Sequence, residues 1–264
     1  MYDFEFVRPV SLADALTALE DEDAMPLAGG QTLLPSLKAR LVAPSKLVSL
    51  AQIPELHGIQ RVGADHVRLG AATRHADVAS GLSVLYPALA ILAGGIGDPA
   101  VRNRGTIGGS LANNDPAACY PAGLLGSDAT VHTNLRDLPS DSFFDGLFTT
   151  VLDPGEIITA VTFRLPVTSH YLKFRQLASG FALVGVFYAR YNDHLRVAVT
   201  GAGEGGVFRW AEAEKALAEG GPDALAEIGA PRETMLSDLH AFAEYRAALV
   251  AELTARCSRA AEQR

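Results

Sequence analysis

The stretch VRNRGTIGGSLANNDPAACYP, residues 101–121, constrains the fold of this chain more than any other. It is rich in Gly, Ala and Asn, and almost no long side chain follows Arg104 until Tyr120. Such a run is backbone built to lie against something, because glycine permits close approach and unusual φ values. A second run of the same character, PLAGGQTLL, occupies residues 26–34. Gly29 and Gly30 are followed by Gln31 and Thr32; Gly108 and Gly109 stand between Thr106 and Ser110. Backbone N–H groups are the densest supply of donors for a diphosphate. The first pair falls between a predicted strand and a predicted helix, so its ligand faces a helix N-terminus, which favours an anion. The two runs together suit one ligand with a diphosphate and further polar parts. Taken singly, a Gly-Gly pair reads equally well as a tight turn.

The rest of the chain narrows the possibilities. Its 264 residues make one large domain or two ordinary ones, and 48% hydrophobic content supports a real core. The formal net charge of -8 excludes nonspecific nucleic-acid binding, which needs Lys and Arg against phosphates. No apolar run reaches the roughly 18 residues of a membrane span. Tyr2, Asp3 and Glu5 follow Met1 in place of a basic, then apolar, leader, so a cytoplasmic protein is expected. Cys119 and Cys257 are then expected as free thiols.

Hydrophobic periodicity predicts strands and helices interleaved in the first part. A strand opens near Phe4 and Phe6, and Ser11 with Asp14 forms a helix start ahead of Leu12, Ala15, Leu16 and Leu19. A buried strand is predicted over 25–28, a helix over 32–40, strands over 46–50 and 67–71, and a helix over 88–93 ending at Gly94 and Gly95. A strand over 130–133, a polar turn over 135–141 and a long strand over 156–165 follow. The pattern changes near 166–170. Beyond it come strands over 172–177, 183–191 and 195–200, then helices over 211–219 and 237–259. An α+β protein with a boundary near residue 168 is expected. Gly201, Gly203 and Gly206 satisfy G-x-G-x-x-G, but no helix opens at once and Glu204 would repel a phosphate, so a strand-to-helix connection is the better reading. His75 and Asp77 form a possible proton relay, with a helix start the simpler role. The other histidines lack ligand spacing, and no metal site is expected.

With both glycine runs placed, the chain resembles the FAD-binding medium subunit of the molybdenum hydroxylases, the carbon monoxide dehydrogenase and xanthine dehydrogenase type. The resemblance is carried by LAGGQTLLPSLKARL at 27–41, RHADVAS at 74–80, IGDPAVRNRGTIGGSLANNDPAACYPA at 96–122, FFDGLFTTVLDPGEIITAV at 143–161, YLKFRQLASGFALVGV at 171–186 and SDLHAFAEYR at 237–246. It implies a vanillyl-alcohol-oxidase-like (PCMH-type) FAD-binding domain over 1–167, made of two α/β subdomains of about 1–55 and 56–167. It also implies a C-terminal domain of antiparallel sheet and helices over 168–264. Ala28, Gly29, Gly30, Gln31 and Thr32 would hold the FAD diphosphate. Thr106, Ile107, Gly108, Gly109 and Ser110 would touch the diphosphate and adjacent parts. Relatives place an aspartate, in a DPAAD pattern, where Cys119 stands on the ribose side of FAD. A thiol cannot accept hydrogen bonds as a carboxylate does, so Asp115 or Asn114 takes over or the contact is missing. Ile157 and Ile158 would be apolar contacts. Phe181 would be an aromatic lid beside the isoalloxazine or a core aromatic.

The activity so implied is electron transfer in a heteromeric oxidoreductase. A large subunit carries the molybdenum cofactor, and a small subunit carries two-iron two-sulfur clusters that feed FAD in this chain, the whole being a dimer of heterotrimers. No residue of this chain is then catalytic in the acid–base sense. The alternatives are a stand-alone flavin oxidase or dehydrogenase of the same fold, and a flavin-free assembly module.

Overall fold

The computed structural model describes residues 1–262. Glu5–Val7 (β1), Ala24–Leu27 (β2) and Lys46–Ser49 (β3) form a parallel sheet in the order β1-β3-β2. Parallel neighbours need crossovers, and the helices Leu12–Ala18 (α1) and Leu33–Lys38 (α2) supply them. Ser11 starts α1 as predicted, its Oγ accepting from the Asp14 N–H at 3.1 Å. The apolar run before the first glycine pair is only half-buried, because β2 is an edge and β3 takes the centre.

The next unit is an antiparallel sheet of Ile59–Val62 (β4), His66–Gly70 (β5), Thr130–Thr133 (β6), Asp137–Pro139 (β7) and Ile158–Arg164 (β8), in the order β4-β5-β8-β6-β7. Five helices lie between β5 and β6: His75–Gly81 (α3), Pro87–Gly94 (α4), Pro99–Arg102 (α5), Ile107–Asn113 (α6) and Tyr120–Gly126 (α7). Val67, Leu69, Val131, Val161 and Phe163 of the sheet share a core with Leu89, Leu92, Leu111 and Leu124 of the helices.

The last unit is a four-stranded antiparallel meander of Thr168–Arg175 (β9), Ala182–Arg190 (β10), Leu195–Gly203 (β11) and Gly206–Arg209 (β12), with Ala211–Gly220 (α8) and Ala243–Glu262 (α9). Strand β10 is apolar up to Arg190, and β11 is buried along its length with Arg196 and Thr200 as polar exceptions, because both faces of each strand are covered. Phe187, Ala189 and Ala198 join the core around α4 and α7, while Val184, Val186, Tyr188, Val197 and Val199 pack under α8 and α9. Helix α7 is buried along its whole length. The start of α7, where Cys119 lies, is therefore held by packing on both sides.

Three further sequence expectations change. The turn predicted over 135–141 contains β7, an edge strand that ends at Pro139, where no ladder donor is needed. The glycines at 201–206 join β11 to β12 in a hairpin, so the connection is strand to strand, and α8 begins only at Ala211. The helix predicted from 237 begins at Ala243, leaving Leu239 91% and Phe242 73% exposed. The cause is Asp238. Its Oδ1 accepts from the N–H groups of His240 and Ala241, and both oxygens take Arg246 Nη2 at 2.8 Å, a side-chain alternative to helical bonding.

Arg246 is 3% exposed at its side chain and also donates to the carbonyls of Leu183 and Gly201. Arg246→Met would strand these acceptors together with Asp238. Breaking a buried pair from one side costs about 3–5 kcal/mol. Urea denaturation followed by circular dichroism should show a loss of that size.

Candidate cofactor cleft

The chain folds both glycine runs onto one elongated cleft of about 630 Å³. The turn after β2 meets the segment before α6 backbone to backbone. A Cβ added at Gly29 would collide with the Arg104 carbonyl and stand 2.7 Å from the Gly105 Cα. A Cβ at Gly108 would stand 2.6 Å from the Ala71 Cβ. Glycine is required at both positions because the neighbouring chain occupies the space a side chain would use.

The two runs differ in what they offer. Gly30 has φ +72°, which opens the turn toward α2. Among the described residues, the N–H groups of Gly29, Gly30, Gln31 and Thr32 donate to no other group of the chain. These four donors line the cleft and are free for an anion. In the second run the N–H of Ile107 donates to Thr73 O, Gly108 to Ala71 O at 2.8 Å, Gly109 to Thr106 Oγ1 at 3.2 Å and Ser110 to Thr106 O at 3.0 Å. The backbone of the second run is therefore not the donor array expected from its glycines, because α6 and the turn after β5 consume it. It contributes close approach and the hydroxyls of Thr106 and Ser110 instead.

Of the residues singled out from sequence, Ala28, Gly29, Gly30, Gln31, Thr32, Thr106, Gly108, Gly109, Ser110, Asp115, Cys119, Ile157, Ile158 and Phe181 line the cleft. Two others do not. The Ile107 side chain is fully buried in the core below α6. Asn114 ends α6 in a left-handed turn, and its amide donates to the carbonyls of Gly146 at 2.8 Å and Thr149 at 2.7 Å. It anchors the 143–150 segment. Asp115 lines the cleft but accepts the Ala117 N–H at 2.8 Å. Phe181 is 49% exposed at the rim, which excludes the core-aromatic reading.

The wall at Ile157 and Ile158 is set by a buried carboxylate. Glu156 receives Arg136 Nε at 3.1 Å and Nη2 at 2.9 Å, the Thr133 hydroxyl at 2.7 Å and the Asp153 N–H at 2.8 Å. The Arg136 guanidinium, helped by these donors, holds the Glu156 carboxyl down at about 2. It stays ionised and locks the turn leading into β8.

Sequence reasoning passed over Lys173 and gave His75 no place in the site. Lys173 lines the cleft and donates to Gly95 O at 2.7 Å, Gly180 O at 3.1 Å and Cys119 Sγ at 3.5 Å. Its signal was parity: it shares a face of β9 with the buried Tyr171. His75 opens α3, and its N–H donates to Gly105 O at 3.0 Å. Its ring lies 5.3 Å from that of Tyr120, under the contact between the glycine runs. Asp77 pairs with Arg74, so the possible relay is absent and the helix-start role stands. Burial, with Arg102 adding to it, pulls the His75 imidazole down to about 4.

This arrangement defines a class: an α+β protein with an extended cleft between two glycine turns, suited to an anion-bearing cofactor and built without a Rossmann unit. Residues 2–167 match the family model of the FAD binding domain in molybdopterin dehydrogenase. The nicotine 6-hydroxylase medium subunit of Paenarthrobacter nicotinovorans is 36% identical over 95% of this chain and 94% of its own length. The carbon monoxide dehydrogenase medium chain of Hydrogenophaga pseudoflava is 32% identical, covering 98% and 96% respectively. Reconstituted CO dehydrogenase from Oligotropha carboxidovorans superposes with a TM-score of 0.88 at 30% identity, over 100% of this chain and 99% of that one. The chain belongs to the FAD-binding medium-subunit family of the molybdenum hydroxylases, oxidoreductases of several subunits. The stand-alone oxidase and the flavin-free module give way to that membership. Among the described residues no helix is long and apolar enough to cross a membrane.

His75 makes the cleft sensitive to acid. Unfolded, it takes up a proton near 6.5; folded, it resists until about 4. Its folded pKa is lowered, so the stability it permits is complete above the unfolded value and is lost as pH falls through that window. His75→Gln has no such proton to bind. Urea midpoints measured from pH 7 to pH 4 should fall more steeply for the wild type than for His75→Gln.

Proposed function

We propose that this chain binds FAD in the cleft and passes electrons from the iron–sulfur subunit of a molybdenum hydroxylase to an external acceptor. The observation that carries the reading is the set of four free backbone N–H groups at Gly29–Thr32, closed from the opposite side by a segment with no room for side chains. Such a cradle fits a diphosphate, whose oxygens can replace the missing acceptors. The Ser110 and Thr106 hydroxyls reach the same ligand from the facing wall. Ile157 and Ile158 give the flavin an apolar bed, and Phe181 borders the isoalloxazine at the rim. FAD supplies the electron-accepting chemistry; the protein holds it, orients it and keeps water from it.

The organisation proposed for the chain is an FAD-binding domain over 1–167 and a C-terminal domain over 168–264. The partners are a large molybdenum-cofactor subunit and a small iron–sulfur subunit, assembled as a dimer of heterotrimers. A reducing, cytoplasmic setting suits Cys119 and Cys257, which are both free and buried. Relatives named for nicotine hydroxylation and CO dehydrogenation show that substrates of very different size share this type of subunit. The substrate is therefore read by the large subunit.

Gly109→Val tests the cleft. Its branches would enter the gap between Thr106 Oγ1, 3.0 Å from the new Cβ, and the Ala28 Cβ, 3.5 Å away. The purified complex should lose its FAD absorbance while circular dichroism stays unchanged. Full FAD content in the variant would place the cofactor elsewhere.

A further inference from the structure

Lys173 is a half-buried cation in the cleft without a counter-ion. Among the described residues its partners are two neutral carbonyls and a thiol, none of them a carboxylate. Several other enclosed cations of the chain are paired with carboxylates, while Arg102, outside the cleft lining, also rests on carbonyls, those of Ile96 and Gly97. Arg246 meets Asp238, Arg196 meets Asp128 and Asp141, and Arg209 meets Glu214. Of the carboxylates lining the cleft, Glu156 is committed to Arg136 and Asp115 to its own turn. An enclosed, unpaired ammonium is costly to the folded chain and persists where a ligand completes it.

The position of this charge is well fixed. Lys173 straps Gly95, at the end of α4, to Gly180, beside Phe181. The two carbonyls take two of its three N–H donors. The third is left to sulfur, a weak acceptor. Cys119 is 5% exposed and held by the packing of α7, so its Sγ cannot withdraw from Lys173. The ammonium therefore stands at the Phe181 end of the cleft with its three donors engaged and, among the described residues, no carboxylate beside it.

We propose that Lys173 faces the isoalloxazine end of bound FAD and favours its reduced form, and that a neutral residue at position 119 keeps this charge uncompensated. The proposal rests on the reading that FAD fills the cleft with its ring toward Phe181, so that Lys173, which bonds both Gly180 O and Cys119 Sγ, stands between the ring and the ribose side assigned to position 119. Reduction adds two electrons, delivered from the iron–sulfur subunit, and one proton from solvent. The ring thereby gains one unit of negative charge, which a fixed cation stabilises more than it stabilises the oxidised ring. Cys119 acts through Lys173: a carboxylate in its place would pair with the ammonium and cancel the effect. The residue pair is thus a setting for the flavin potential, made of one charge and one deliberate lack of charge.

The test is the FAD midpoint potential of the purified complex, followed by the flavin absorbance, for Lys173→Met, Lys173→Arg, Cys119→Asp and Cys119→Ser. Lys173→Met and Cys119→Asp should each weaken the preference for reduced over oxidised FAD at least tenfold, a shift of about 30 mV to more negative values for a two-electron couple. Lys173→Arg and Cys119→Ser should stay at the wild-type potential. Should Lys173→Met lose FAD, Cys119→Asp decides alone, because it removes no strap. Unchanged potentials in FAD-replete Lys173→Met and Cys119→Asp complexes would overturn the proposal and leave the cleft reading standing. Loss of FAD from both variants would make Lys173 a purely structural strap and equally overturn it. A wild-type complex that carries no FAD would overturn the cleft reading itself.

Discussion

The contact between Gly29 and the backbone of Arg104 and Gly105 is the constraint on which the site depends. It joins the turn of a small parallel sheet to a segment that belongs to a different, antiparallel unit. Any side chain at Gly29 would wedge the two apart. Much of the surrounding structure serves to hold the Arg104 side of that contact. Asp98 starts α5 by accepting the Val101 N–H at 2.8 Å, and Arg102 ties α5 back to the carbonyls of Ile96 and Gly97. His75 supports Gly105 from below. The cleft thus rests on a backbone seam with almost no side chains in it, which is why so small a stretch dominates the sequence.

Electrostatics divides the charged groups by task. Arg246, Arg196 and Arg209 are compensated in place, and each ties secondary elements that packing alone would leave free to shift. Glu156 is compensated too, and its lock on the turn before β8 positions an apolar wall of the cleft. Lys173 is the exception at the site. A cation held by carbonyls and sulfur is poor structural engineering and good cofactor chemistry, because its charge remains available to the ligand.

Much of the fold and the location of the site were legible in the chain. The start of α1 could be read because Ser11 and Asp14 act within one turn. The residues around Gly29 and Gly108 could be read because close approach leaves no choice of side chain. The errors share a cause. Asn114 and Ile107 sit beside cleft residues in sequence, yet α6 directs one to Gly146 and Thr149 and the other into the core. The glycines at 201–206 satisfied a motif but met no helix. The helix expected from 237 lost its first turn to Asp238, whose partner Arg246 lies eight residues away and is buried only in the tertiary structure.

The sequence by itself determined which segments must be backbone-lined, that β10 is apolar up to Arg190, and that the glycine runs suit an anion-bearing ligand. These properties are local: they follow from the side chains a residue has or lacks. Tertiary structure alone decided which glycine run keeps its N–H groups free, because hydrogen bonds from Gly108 and Ile107 go to Ala71 and Thr73, more than thirty positions away. It alone brought Lys173 to Cys119, across 54 positions of chain. A donor is available or spent, and a charge paired or bare, only once the fold has chosen its neighbours.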